Sequence, residues 1–200
     1  MHGAQLTPEM LLYAYSIGIF PMGDDDGSVD FYEPRLRALF PIEGVRVSRS
    51  LAKRIRRGGF RITFDRCYEE VMRACLRPDG NWITEDFIRV YGQIHRQGWG
   101  HSCEVWIDGQ LVGGIYGVGV GAVFSAESMF HRERDMSKIA LWAMVEQCRH
   151  LGFRVFDAQV QNPHLESLGA YEVPMAEYRA MLLEFGPQAN FWSTPARTEW

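Results

Sequence analysis

Residues 104–130 limit what this chain can fold into more than any other stretch. They read Glu-Val-Trp-Ile-Asp-Gly-Gln-Leu-Val-Gly-Gly-Ile-Tyr-Gly-Val-Gly-Val-Gly-Ala-Val-Phe-Ser-Ala-Glu-Ser-Met-Phe. Asp108-Gly109 between two β-rich runs is a two-residue hairpin signal, because glycine takes the positive φ of a type I′ turn. A second turn falls near Gly119 and Gly121. The stretch therefore reads as an antiparallel meander with strands at 103–107, 111–118 and 122–129. Gly113, Gly114 and Gly117 lie inside the middle strand, where glycine weakens pairing unless another backbone or a ligand comes close. Glu127 ends the third strand among apolar neighbours, and burying a lone carboxylate is costly unless it is paired or used. A strand-end glutamate facing water is the alternative.

Two hundred residues suit one globular domain with a small appendage. A hydrophobic content of 46% argues against disorder. No apolar run approaches the ~20 residues that span a bilayer, and the first residues lack a basic-then-apolar signal pattern. Cys67, Cys75, Cys103 and Cys148 show neither a CxxC pair nor zinc-type spacing with histidine. The expectation is a cytoplasmic protein with reduced thiols, no metal and no cofactor. A net charge of −4 does not advertise nucleic-acid binding, so any such partner must be held by a local basic patch. One exists: Arg46 and Arg49 precede a short helix carrying Lys53, Arg54, Arg56 and Arg57, capped by Ser48 or Ser50 and ended by Gly58. Such a run is either a solvated helix face or a phosphate contact.

Thr7-Pro8-Glu9 starts a first helix by its cap, its proline and its acid. Further helices are expected at 65–75, 85–97 and from about 135–137 to 151, with Gly152 as C-terminal glycine. In a strand over 153–160, Val155, Asp157 and Gln159 share one face, and Phe156, Ala158 and Val160 the other. Two polar groups on one face of that strand mark a site or a solvent-facing edge. A short helix from Asn162 and a short strand at 170–173 follow. The remainder reads as a loop-rich tail. Trp82, ahead of the 85–97 helix, is a hydrophobic staple or a stacking surface for a base or sugar.

Antiparallel strands, a helix, a strand bearing polar residues, then a short helix and strand make the layout of a GNAT-type acyltransferase. The fold expected is α+β and GNAT-like, a mostly antiparallel sheet flanked by helices with a small reduced N-terminal part. Its divisions would be 1–45 (an N-terminal segment packing on the main domain), 46–185 (the transferase domain) and 186–200 (a tail). Acyl-CoA members place a pyrophosphate on a glycine-rich turn before the central helix. Residues 130–137 contain no glycine, and Glu133 and Asp135 would repel that group. A CoA donor is disfavoured on that ground.

Several segments resemble the leucyl/phenylalanyl-tRNA–protein transferases: Gly18-Ile19-Phe20-Pro21, Ser48-Arg49-Ser50-Leu51, Trp82-Ile83, His101-Ser102, Leu111 through Val118, Glu127-Ser128-Met129-Phe130 and Asp157-Ala158-Gln159-Val160. Departures are Met22 after Phe-Pro, Phe31-Tyr32-Glu33-Pro34, Ala158, and Pro174-Met175. The resemblance implies aminolysis of the ester joining Leu or Phe to the 3′ ribose of a tRNA. The acceptor would be the α-amine of a protein beginning with Arg or Lys, marked thereby for N-end-rule degradation. An α-amine of pKa about 7.7–8.0 is mostly protonated at neutral pH, so the step needs a base and a positioning carboxylate.

Asp157 is expected to accept or relay the proton through Gln159, Gln159 to orient the amine or ester, and Glu127 to hold an ammonium. The resemblance maps the donor pocket onto Ile115, Phe124, Leu141 and Phe156, with Ser128 and Asn162 as polar contacts and Trp82 near the terminal adenosine. An apolar pocket separates related side chains by only ~1–3 kcal/mol per methylene, so Met is a third candidate donor. Arg46, Arg49, Lys53, Arg54, Arg56 and Arg57 would track acceptor-stem phosphates. The competing readings are a GNAT-type N-acyltransferase using a small acyl-CoA and a non-catalytic binder of cationic N-termini.

Overall fold

The computed structural model describes residues 6–23, 29–76, 83–188 and 192. The meander forms as β5 (Gly100–Ile107), β6 (Gln110–Val120) and β7 (Val123–His131). Asp108 and Gly109 take φ of 49° and 77°, as a type I′ turn requires. On the outer side of β5 pairs β4 (Arg61–Phe64). Beyond β7 the sheet continues through β8 (Val155–Gln159), β3 (Leu36–Phe40) and β9 (Tyr171–Pro174), in the order β4-β5-β6-β7-β8-β3-β9. All neighbours are antiparallel except β7 and β8, which run parallel. A separate hairpin pairs β1 (Phe20–Gly23) with β2 (Val29–Tyr32).

Helix α5 (Met136–Leu151) packs on one face of the sheet, over a core that includes Ile115, Phe124, Leu141, Phe153 and Phe156. Gly113 explains part of the glycine run in β6. A Cβ there would lie 2.5 Å from Met136 Cβ and 2.8 Å from its carbonyl carbon, so the first turn of α5 rests directly on the strand. The opposite face is covered by α1 (Pro8–Ser16), α3 (Tyr68–Ala74) and α4 (Glu85–Arg96), over Leu11, Val71, Phe87, Tyr91 and Tyr116. Thr7 and Thr84 cap α1 and α4 by accepting from the N–H of Met10 and Phe87. Ser48 does the same for α2 (Arg49–Arg57), accepting from Leu51.

The strand β3 lies before residue 45 yet is interior to the main sheet, between β8 and β9. The hairpin β1–β2 is not legible in the sequence, since Phe-Pro-Met and Val-Asp-Phe-Tyr lack alternation. The supposed tail forms α7 (Met175–Phe185), whose Met175, Tyr178 and Leu182 pack on Leu39, Val123 and Val155. Among the described residues no helix is long and apolar enough to cross a membrane, no three His, Cys, Asp or Glu cluster as metal ligands, and Cys67, Cys103 and Cys148 are free thiols.

Candidate active site

The parallel pairing of β7 with β8 ends at Ser125↔Asp157. Beyond that pair the two strands flank a cavity of about 260 Å³. Phe124 and Phe156 face each other across the last turn of pairing, their ring centroids 5.2 Å apart. Two positions further along each strand stand Ala126 and Ala158, both lining the cavity. Strand periodicity puts them on the same faces as the phenylalanines, and their small side chains leave the space that the rings fill below. Phe20 and Met22 of β1, Phe40, Ile115, Met129, Leu141, Val160 and Leu165 complete an apolar wall. The polar or charged groups set into it are Glu127, Ser128, Gln159 and Asn162.

Glu127 reaches the cavity by an irregularity in the ladder. Tyr116 pairs with Ser128 and Gly117 with Ala126, so Glu127 is the extra residue of a β-bulge. Bulges re-aim side chains and are common beside active sites. Gly117 makes this one possible, since a Cβ there would sit 2.3 Å from the Ser125 carbonyl oxygen. Tyr15 of α1 donates to Glu127 Oε1 at 2.7 Å, Gln159 Nε2 donates to the same oxygen at 2.8 Å, and Tyr91 of α4 donates to Oε2 at 3.4 Å. The two tyrosine hydroxyls are also hydrogen-bonded to each other. Burial raises the Glu127 pKa to about 7, against the opposing pull of the Tyr15 and Gln159 hydrogen bonds. Burial, with Glu127 next in size, pushes both tyrosines well above their usual range, so they stay neutral donors.

Asp157 has different surroundings. It is fully buried and does not line the cavity. Arg37, equally buried, grips it with Nε to Oδ1 at 2.8 Å and Nη2 to Oδ2 at 2.6 Å. Ser125 and Tyr178 donate to Oδ2 at 3.0 and 2.9 Å, and the Gln159 N–H donates to Oδ1 at 2.8 Å. The guanidinium also bonds the Gly18 carbonyl and lies over the rings of Phe20 and Tyr178, 4.8 and 4.7 Å from their centroids. Five donors occupy both carboxylate oxygens, which leaves no lone pair facing a substrate. The proton-accepting role read for Asp157 does not suit this enclosure.

What Asp157 does hold is the backbone of Gln159. That residue has φ of 63°, a left-handed conformation uncommon outside glycine. Its N–H turns back onto Asp157 while its side chain reaches Glu127. The alternation expected through Asp157 and Gln159 breaks at this point, and Ala158, Gln159 and Val160 all reach the cavity.

Of the expected pocket residues, Ile115, Leu141, Ser128 and Asn162 line the cavity. Asn162 also caps α6 (Pro163–Ser167), accepting from the Leu165 N–H. Phe124 and Phe156 do not line it: both are fully buried one layer behind. Trp82 lies outside the described residues. Arg46, Arg49, Lys53, Arg56 and Arg57 are exposed on and before α2, without a carboxylate partner among the described residues. Arg54 is turned inward, bonding the Gly58 carbonyl and lying 5.1 Å from the Phe60 ring centroid. Tyr15, Tyr91, Arg37, Ser125 and Tyr178 carry no signal in the sequence that marks them as part of a site.

A family model described as leucyl/phenylalanyl-tRNA protein transferase matches residues 39–183, and one described as the N-terminal domain of that transferase matches residues 4–35. A leucyl/phenylalanyl-tRNA–protein transferase of Herpetosiphon aurantiacus is 48% identical over 181 residues, covering 90% of this chain and 94% of its own. One of Ruegeria pomeroyi is 48% identical over 179 residues, covering 88% and 85%. Among solved structures, L-PGS from Bacillus licheniformis aligns with a TM-score of 0.43 at 13% identity, over 80% of this chain and 53% of that one, too loosely for its function to pass across. The strands that carry Glu127 and Gln159 lie inside the longer family match, and with relatives this similar along nearly the whole length, the chain belongs to the leucyl/phenylalanyl-tRNA–protein transferase family of aminoacyltransferases.

Proposed function

We propose that the chain transfers Leu or Phe, with Met as a third donor, from charged tRNA to the α-amine of proteins beginning with Arg or Lys. The cavity between β7 and β8 would seat the donor side chain, and Glu127 would be the base. The observation that carries this reading is the bulge that turns a hydrogen-bonded carboxylate into an apolar pocket. A pKa of about 7 stands just below the ~7.7–8.0 of an α-amine, a good match for proton transfer near neutrality. Glu127 takes a proton from the α-ammonium, and the freed amine attacks the ester carbonyl carbon. The bond to the ribose 3′ oxygen breaks, that oxygen leaves protonated, and one proton passes to solvent overall. Gln159 orients the carboxylate, and Asp157, locked to Arg37, positions Gln159. This moves the proton-accepting role from Asp157, where the sequence reading put it, to Glu127, which that reading had holding an ammonium.

The exposed cations Arg46, Arg49, Lys53, Arg56 and Arg57 fit a surface for acceptor-stem phosphates. Support for a GNAT-like fold comes from the antiparallel meander ending in one parallel pair whose separation opens the site. The proposed setting is the cytoplasm, and the proposed consequence for the acceptor is N-end-rule degradation.

The test is transfer of labelled Leu and Phe from purified charged tRNAs to a protein with N-terminal Arg. Label appearing in that protein, and not in one beginning with Ser, is expected. Deacylation without product, or no reaction, would refute the assignment.

A further inference from the structure

We propose that Trp192, remote in sequence from every cavity-lining residue, is a positioning residue that sets the size of the donor side chain the pocket accepts. This rests on the reading of the β7–β8 cavity as the aminoacyl site. Trp192 is 7% exposed. One face of its indole stacks on the His101 imidazole, with centroids 4.1 Å apart and planes at 17°. His101 is itself fixed, its Nδ1 2.9 Å from Asp65 Oδ2 and its Nε2 3.2 Å from the Gly98 carbonyl oxygen. Around the indole stand Phe64 at 6.2 Å, Phe153 at 6.1 Å and Phe124 at 6.1 Å.

From there a row of rings leads to the cavity. Phe124 lies 5.2 Å from Phe156, and Phe156 lies 6.1 Å from Phe40 with the planes at 73°. Phe40 is part of the cavity wall. Phe124 and Phe156 are completely buried, so neither has solvent to move into. A close-packed interior transmits strain from ring to ring instead of absorbing it. With the indole removed, Phe124 gains room to retreat, then Phe156 and Phe40, and the pocket widens behind Ile115 and Leu141. A wider pocket favours Phe over Leu.

The experiment compares kcat/KM for Leu-tRNA and Phe-tRNA in the wild type, Trp192→Ala, Trp192→Phe and Leu141→Ala, all as the full chain with one Arg-terminated acceptor. Trp192→Ala should raise the Phe-to-Leu ratio about tenfold, the low end of what a methylene is worth in an apolar pocket. Trp192→Phe should shift it less, in the same direction. Indole, which can occupy an apolar cavity of this kind, should return Trp192→Ala toward the wild-type ratio as well as its melting temperature. An equal loss for both donors, with indole restoring only the melting temperature, would mean Trp192 merely holds the fold and would overturn the proposal. If Trp192→Ala does not fold, the ratio for Trp192→Phe decides by the same criterion. A shift in Leu141→Ala without one in the Trp192 variants sinks the proposal and leaves the pocket assignment standing. An unchanged ratio in Leu141→Ala sinks both.

Discussion

Replacing Tyr15 by Phe removes one hydroxyl from Glu127 and keeps the ring that packs beside it. The hydrogen bond removed, 2.7 Å long, runs from a neutral donor to a carboxylate. Hydrogen bonds to charged groups contribute about 1.5–3 kcal/mol, equivalent to roughly 1–2 pKa units at 1.36 kcal/mol per unit. Tyr91, already 3.4 Å from the other oxygen, can move in and recover part of this, so the lower end applies. The sign follows from which form the donor stabilises. Tyr15 favours the carboxylate, so its loss raises the Glu127 pKa from about 7 to about 8. If Glu127 is the base, the acid limb of kcat/KM moves up by about one unit; at pH 7 the rate falls about fivefold, and by pH 9 it recovers. The acceptor α-amine titrates in the same range, but identically for both enzymes, so the rate ratio of wild type to Tyr15→Phe isolates the enzyme group. A ratio that stays constant from pH 6 to 9 would refute the role of Glu127.

Other substitutions probe separate parts of the site. Glu127→Gln should abolish transfer while removing a pH dependence of stability. The folded-state pKa lies above the ordinary 4.5, so stability is greatest below about pH 4.5 and declines as pH rises through about 7, by on the order of 3 kcal/mol. Urea melts at pH 5 and 8 should show that decline in the wild type and not in the variant. Asp157→Asn should cost about 3–5 kcal/mol of stability, because it leaves the Arg37 guanidinium buried without its counter-charge; a variant of wild-type stability would contradict the closed ion pair. Gly117→Ala should cost about 1–3 kcal/mol by overpacking against the Ser125 carbonyl and should disturb the bulge, so activity per folded molecule must fall as well. Charge reversal at Lys53 and Arg56 should weaken all donor tRNAs alike and flatten the salt dependence of binding, by roughly one unit of log–log slope for each phosphate no longer neutralised. Isotherms at several salt concentrations measure it.

The meander was legible because Asp108-Gly109 and the runs beside it obey local rules, and α5 because its apolar spacing and Gly152 do. Glu127 and Gln159 could be picked out as polar residues in apolar strands. Which of the two acids, Glu127 or Asp157, faces the cavity could not, because that depends on partners from distant segments. Arg37 sits in Leu-Arg-Ala-Leu, where nothing local marks it for burial. Its burial comes from Asp157, 120 residues later. Glu104 shows the same limit from the other side. It is buried with a raised pKa, chiefly from loss of solvent, yet Thr63 and Ser102 enclose it away from the cavity. In sequence Glu104 and Glu127 look alike, and only the bulge at Gly117 separates them. Only the family resemblance puts Phe124 and Phe156 in the wall. The pocket opens instead where Ala126 and Ala158 are small.

The place of β3 in the sheet has a consequence during synthesis. Its two neighbours are β8 and β9, so on the ribosome it emerges long before either can pair with it. The roughly 115 residues between Phe40 and Val155 take about 6–23 s to make at ~5–20 residues per second. Throughout that interval Ala38, Leu39 and Phe40, all buried in the finished molecule, await partners. The hollow walled by residues from Phe20 to Leu165 closes only when the late strands zip onto this early one. A nascent chain stopped before β8 holds the meander and central helix but no enzyme.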